Sequence, residues 1–242
     1  MMVRTPLAAC RMQRRQISSA LPLILVLPVA RWAHAQGLGA ISDADATKGL
    51  RTALEKGALA AIQVLGRPDG FLANPQVHIP LPGYLKDAAK LLSALGQRKQ
   101  VEELEVAMNR AAENAVPLAK NLLVNAVRNM SVTDAKNILT GGETSVTRFF
   151  ADKTRTPLAA QFLPVVRQAT SKVGLAQKYD RVARKAQGFG LVKEEDASID
   201  HYVTRKALDG LYFMIGEEEK KIRRDPVGTG SKLLEKVFGA IR

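Results

Sequence analysis

The sequence predicts an all-α protein, a single globular bundle of about eight or nine helices with one proline-rich extended segment laid over them. Three observations carry this. Apolar residues recur at helical spacing along most of the chain after residue 42. Glycine or proline punctuates those runs at intervals that helices would span. Extended character is confined to residues 67–82, RPDGFLANPQVHIPLP, where four prolines exclude a continuous helix.

The chain of 242 residues opens on a segment that reads as an address rather than as structure. Arg4, Arg11, Arg14 and Arg15 form a positive region without acids, and an apolar run of 11 residues follows, Ala20 to Ala30. That run is too short to span a bilayer. Ala33-His34-Ala35 offers the small-x-small pattern of a cleavage site, so residues 1–35 are expected to be a cleavable signal peptide, with residues 36–242 the mature domain. Ordinary Sec export is expected, although Arg14-Arg15-Gln16-Ile17 faintly matches a twin-arginine signal. The expected compartment is the periplasm. Cys10, the only cysteine, would leave with the signal. The mature domain would then hold no disulfide, thiol nucleophile or cysteine-ligated metal. A domain of this size removes about 70% of its unfolded surface from water, enough for one core without covalent staples. No run of 18 apolar residues follows Gln36, so no membrane span is expected in the mature chain.

The elements follow in order. Ser42 and Asp45 form a capping box that opens a helix to about Leu65, with Leu50, Leu54, Ala58, Ala61 and Ile62 on one face and Gly66 as its stop. In the proline-rich segment, Asp69-Gly70 reads as a tight turn, and Val77 to Leu81 should be extended because residues before proline avoid the helical region. Phe71, Leu72, Val77, Ile79 and Leu81 are too apolar for a solvated loop, so this stretch should lie against helices. A short hairpin is one form it could take. Gly83 to Leu95 predicts a helix, and Arg98 to about Asn129 a long one that kinks or restarts at Pro117. A second capping box, Ser131 to Asp134, opens a short helix that Gly141-Gly142 closes. A turn or two carries Phe149 and Phe150. Thr156-Pro157 is expected to open the next helix, bent at Pro164 and ended at Gly174. Leu175 to Ala186 predicts a helix with Lys178, Arg181 and Lys185 facing away from its apolar side, and residues 188–197 a loop. A last short helix carries Leu233, Leu234, Val237 and Phe238.

Between these lies the best-marked helix, from Asp200 to Pro226. Val203, Ala207, Leu208, Leu211, Met214, Ile215 and Ile222 span about 140° of its circumference, the width of a stripe packed into a globular core. Glu217 and Lys221, and Glu219 and Arg223, stand four apart as stabilising surface pairs. Glu218 falls in the middle of the apolar stripe.

Charge is localised. The net charge of the chain is +13, and residues 1–35 hold five arginines and no acid. Residues 153–193 contain nine basic residues and one acid, Asp180, while the rest of the mature chain balances to zero. Such a concentration of charge draws anions and speeds encounter with them. Arg167, Lys172, Lys178, Arg181, Arg184 and Lys185 are the anion-binding candidates, set against a solvated face with no dedicated partner. In the envelope the anions at hand are phospholipid head groups and lipopolysaccharide phosphates. Nucleic acid is not expected as a partner, because no aromatic residues interleave the bases to stack on it.

Catalytic chemistry has weaker candidates. Glu218, if buried on its stripe, would have a raised pKa and could serve as a general acid; alternatively it reaches solvent or a basic partner. Glu105, Asn109 and Glu113 line one helix edge at i, i+4 and i+8, a second place for acid/base chemistry. Asp200 and His201 match no metal motif; adjacent residues on a helix diverge, so Asp200 reads as a helix cap and His201 as a surface residue. His78, between prolines, reads as exposed. Thr140 to Ser145 places two glycines before a helix start, which suits an anion or a hinge. No cofactor motif and no metal-ligand spacing is found, so neither is expected.

Residues 67–82, 104–117 (LEVAMNRAAENAVP), 134–142 (DAKNILTGG), 163–174 (LPVVRQATSKVG) and 202–226 (YVTRKALDGLYFMIGEEEKKIRRDP) resemble the family called domain of unknown function 4197. The resemblance is collinear over residues 38–239. It implies an exported, predominantly helical protein of Gram-negative bacteria and brings no catalytic residues. Members of that family often begin as lipoproteins; this chain departs from them in lacking a cysteine at the cleavage site. The reading at this level is a non-catalytic binding protein of the periplasm that uses residues 153–193, with an enzyme employing helix carboxylates as the alternative.

Overall fold

A computed structural model describes residues 43–83, 85, 94, 96, 98–188 and 198–225. The expected signal peptide, the capping serine at 42, most of the helix expected at 83–95, the loop at 189–197 and the last helix at 233–238 lie outside the described residues.

Every regular element among the described residues is helical: α1 (Asp43–Leu65), α2 (Arg98–Ala115), α3 (Ala119–Arg128), α4 (Val132–Thr140), α5 (Ser145–Thr170), α6 (Gly174–Gly188) and α7 (Ile199–Arg224). A 3-10 turn, Val116–Leu118, joins α2 to α3, so that these seven segments make six rods. The count of eight or nine is not confirmed. Pro117 causes the joint at the position expected: it sits in the first turn of the 3-10 segment, where its missing N–H costs nothing, and the helix restarts behind it. The capping box at Ser131 is formed on both sides, with the Ser131 hydroxyl accepting from the Asp134 N–H and the Asp134 carboxylate accepting from the Ser131 N–H, both at 3.0 Å. These bonds hold the Asp134 carboxyl below its ordinary range, the Ser131 backbone contributing most.

The break expected at Thr156-Pro157 does not occur. α5 runs through both Pro157 and Pro164 for 26 residues. The two prolines stand seven apart on the same face, and both are exposed, as are Lys153 and Ala160, the residues whose carbonyls they leave without a helical partner. Exposed carbonyls are open to solvent, so neither proline buries an unpaired backbone group and the helix continues past both. Leu158, Phe162 and Val166, turned away from that face, are fully buried, as is Phe150 nearer the start, and packing along the whole rod holds the helix in one piece.

α7 is the central rod, packed against α5, α1 and α2. Its predicted stripe is buried throughout. A second buried edge, Tyr212, Gly216 and Glu219 at i, i+4 and i+7, faces α5. The Tyr212 hydroxyl lies 2.8 Å from Thr154 Oγ1, and burial raises the Tyr212 pKa. A Cβ at Gly216 would stand 2.8 Å from Thr147 Oγ1, so glycine permits this close approach.

The proline-rich segment crosses α2 and α7 as a strap. Its turn forms at Asp69-Gly70, with the Gly70 N–H donating to Arg67 O at 3.0 Å and Asp69 in the left-handed region at φ 67°. No strand is present among the described residues, so no hairpin forms there. The physical reason is visible at Ile79. Its N–H donates to Asn109 Oδ1 at 2.9 Å, and its carbonyl accepts from Asn109 Nδ2 at 3.0 Å. A side-chain amide thus takes both bonds that a neighbouring strand would have made. Phe71 and Val77 press onto α7 at Gly210, where an added Cβ would lie 2.8 Å from Phe71 Cε1. Gly210→Ala should therefore displace the strap and destabilise the protein by about 1–3 kcal/mol, read as a lower urea midpoint.

Candidate functional site

Three groups of residues bear on function: the edge of α2, the C-terminal turn of α7, and the basic segment on α5 and α6.

Glu105, Asn109 and Glu113 come together as their spacing predicts, along one edge of α2, and all three hold the strap. Glu113 is buried, and its Oε1 accepts from the N–H groups of Phe71 and Leu72, each at 3.0 Å. Its Oε2 accepts from Arg110, 2.7 Å away, whose other nitrogen reaches Asp69, also at 2.7 Å. These hydrogen bonds, Glu113 first, raise the Arg110 pKa. His78, expected to be exposed, is half-buried and 3.3 Å from Glu105. The Tyr202 hydroxyl completes the fastening by donating to Pro80 O at 3.0 Å. Backbone groups of a segment that cannot form regular structure need partners wherever they are buried, and the acids and amide of α2 supply them.

At the end of α7, Glu218 is half-buried and pairs with Lys221 at 2.6 Å. Glu217 pairs with Lys220 at 2.8 Å in place of the expected Lys221, because three-residue and four-residue spacings both bring side chains together on a helix. The deeply buried acid is Glu219, one position on. Its side chain is 4% exposed, paired with Arg223 at 2.7 Å, and its Oε2 has no hydrogen-bond partner among the described residues. Arg223 also reaches Ile138 O at 3.0 Å and Ser145 Oγ at 3.4 Å, which ties α7 to the turn between α4 and α5. Burial is the largest influence on Glu219 and raises its pKa; Arg223 and the Val146 backbone act the other way and do not overcome it. A raised folded-state pKa means that this group's contribution to stability is complete below the unfolded value, about 4.5, and is lost as pH rises through the folded value. Glu219→Gln should flatten the decline in stability with pH above that point. Urea melts at pH 4, 5, 6 and 7 read this, and an unchanged slope would show that Glu219 does not titrate differently on folding.

The basic segment is divided by the fold. Arg155 turns along α7, 2.9 Å from Asp209 and over the Tyr212 ring at 5.1 Å. Arg167 pairs with Asp200 at 2.8 Å while remaining 60% exposed. Together with Arg184 and Asp180 these two line an open groove of about 300 Å³ at the start of α7, with Ser198 and His201 on its wall. Lys172, Lys178 and Arg181 are exposed outside it. The Lys185 side chain lies outside what the structure describes. His201 is on the surface, as expected. The cap of α7 is Ser198 in place of Asp200, and Asp200 sits in the first turn.

The anion-attracting helix start in this groove is already filled by protein carboxylates. Asp180 Oδ1 accepts from the Ile199 N–H at 2.9 Å. Asp200 accepts from the His201 N–H at 3.0 Å and from the Ser198 hydroxyl. Burial pushes the Asp180 pKa up. Burial acts the same way on Asp200, but hydrogen bonds from Ser198 and Arg167 outweigh it and hold that carboxyl below its ordinary range. An incoming anion therefore meets the outer cations and not the helix end.

Around the Gly141-Gly142 turn, a wider groove of about 440 Å³ mixes Asp134 and Asp152 with Arg148 and Lys153. Among the described residues, no group of three or more His, Cys, Asp and Glu side chains could hold a metal ion, and no helix is long and apolar enough to cross a membrane.

These features define a helical protein whose buried polar groups fasten its own backbone and whose excess of basic over acidic residues lies along one segment, 153–193. The chain belongs to the family described as "Protein of unknown function (DUF4197)", which matches residues 40–239. No curated protein and no solved structure matches the chain.

Proposed function

We propose that the protein is exported to the periplasm and there acts as a non-catalytic binding protein, its outer basic face turned to anionic phosphate groups of the envelope, whether of phospholipid or of lipopolysaccharide. One observation carries the reading. Asp180, the only acid among residues 153–193, points inward to cap α7, so the exposed Lys172, Lys178 and Arg181 have no acid of their own segment to offset them. Exposed cations near an anionic lipid surface contribute about 1 kcal/mol each, so a few of them give reversible, salt-sensitive attachment. The catalytic alternative has less to draw on: Glu113 and Asn109 spend their polar atoms on the strap, and Glu218 is paired with Lys221.

Photo-crosslinking in cells from position 178 tests this. Capture of phospholipid or lipopolysaccharide is the expected result. A single protein captured in their place, or crosslinks equal to those from a control position on α3 such as Asn121, would count against it.

A further inference from the structure

The groove of about 300 Å³ at the start of α7 holds two arginines that are anchored and still have donors to give. Arg167 donates through Nε to Asp200 Oδ2 at 2.8 Å, and Arg184 donates through Nε to the Asp180 carbonyl at 3.2 Å. Among the described residues, none accepts a hydrogen bond from the four terminal nitrogens of these two guanidiniums. Each planar fork is therefore held at its stem and open at its tip. A fork held before its ligand arrives loses less freedom on binding. The anchor of Arg184 is a neutral carbonyl. The two acids of the groove are engaged by the start of α7: Asp180 Oδ1 accepts from the Ile199 N–H, and Asp200 Oδ1 from the His201 N–H. The positive end of the helix offsets them there. Apart from Ala176 the described lining is polar, with Thr170, Ser171 and Gln177 beside the arginines.

We propose that this groove takes one terminal phosphate monoester, gripped between Arg167 and Arg184, in preference to a phosphodiester. It rests on the reading that the protein meets envelope phosphates, and it says which kind the groove selects. A monoester presents three free oxygens and a charge of about −1.5 to −2 at neutral pH, enough acceptors for both forks at once. A diester presents only two free oxygens and a single charge, which one fork satisfies. The polar lining offers nothing to an alkyl chain, so the groove grips the phosphate and leaves whatever carries it outside. The site is separate from the outer basic face, because none of Lys172, Lys178 and Arg181 lines this groove.

Calorimetric titration of the full chain tests it, with glycerol 3-phosphate as the monoester, dimethyl phosphate as the diester and inorganic phosphate as the free ion. One glycerol 3-phosphate should bind per chain, at least as tightly as inorganic phosphate. Dimethyl phosphate, which gives up one fork, should bind about tenfold more weakly or worse. Arg184→Gln should weaken glycerol 3-phosphate by about tenfold or more. Arg184→Lys keeps the charge and loses the fork, and should stay about threefold or more below the parent. Arg184 is exposed, so both variants should keep the parent's urea midpoint. Lys178→Glu should change glycerol 3-phosphate binding by less than about threefold, through screened charge alone, while weakening attachment to anionic vesicles. Equal affinity for monoester and diester, tighter binding of inorganic phosphate than of the ester, several esters bound per chain, or no effect of Arg184→Gln would overturn the proposal. Attachment to anionic vesicles without binding of glycerol 3-phosphate would overturn the groove and leave the outer face standing. Binding of glycerol 3-phosphate without such attachment would do the reverse.

Discussion

Glu113→Ala should destabilise the protein by about 3–5 kcal/mol, the largest effect expected of any single polar substitution. The carboxylate is 4% exposed and holds three partners at once: two strap N–H groups and the Arg110 guanidinium. Removing it strands the buried Phe71 N–H and leaves the part-buried Leu72 N–H without its partner, at about 1–3 kcal/mol each with the buried group at the upper end. Arg110 keeps Asp69 and some access to solvent, so its loss is the smaller part. Glu113→Gln retains an oxygen for the strap but turns an amide towards Arg110, and should cost about 1–2 kcal/mol. Urea denaturation measures both, and limited proteolysis between Arg67 and Pro82 should quicken in the alanine variant. A cost below 1 kcal/mol for Glu113→Ala, with unchanged proteolysis, would mean that the strap is held by Phe71 and Val77 alone.

The second large effect concerns binding. Lys178→Glu/Arg181→Glu changes the charge of the outer face by four, and attachment to anionic vesicles should fall at least tenfold, given about 1 kcal/mol per cation at such a surface, reduced by screening. Both side chains are exposed, so stability should stay within about 0.5 kcal/mol of the parent. Lys120→Glu/Arg128→Glu on α3 makes the same change in net charge on another exposed surface. It should weaken attachment less than threefold. Equal losses in the two variants would show that total charge matters and the α6 face does not.

What the sequence disclosed depended on the range of the interaction. The Ser131–Asp134 box and the restart at Pro117 were legible because every atom involved lies within four residues. The edge of Glu105, Asn109 and Glu113 was legible as a spacing, but its role was not: Ile79 lies 30 residues from Asn109, and Phe71 42 from Glu113. Pro157 misled because a proline at a helix start and an exposed proline inside a helix read with the same letters; only the burial of Phe150, Leu158 and Phe162 on either side decides between them. Glu219 was missed for a related reason. Tyr212, Gly216 and Glu219 do not read as an apolar stripe, yet at that end of α7 the neighbouring α5 covers them. The i, i+4, i+7 spacing of a tyrosine, a glycine and an acid beside a stripe was the signal available. In the basic segment, the count of cations was legible, whereas the inward turn of Asp180 and the pairing of Arg155 and Arg167 required the fold.

The central claim is that cations on the outer face of α6, freed of their segment's only acid, hold the protein to anionic surfaces. It is tested most directly by sedimentation with anionic and with neutral vesicles as salt is raised from 50 to 300 mM. The prediction is strong attachment to anionic vesicles at the lowest salt, about tenfold weaker at the highest as screening shortens the reach of the charges, and none to neutral vesicles. Equal partitioning to the two vesicle types, or attachment that salt does not weaken, would contradict it.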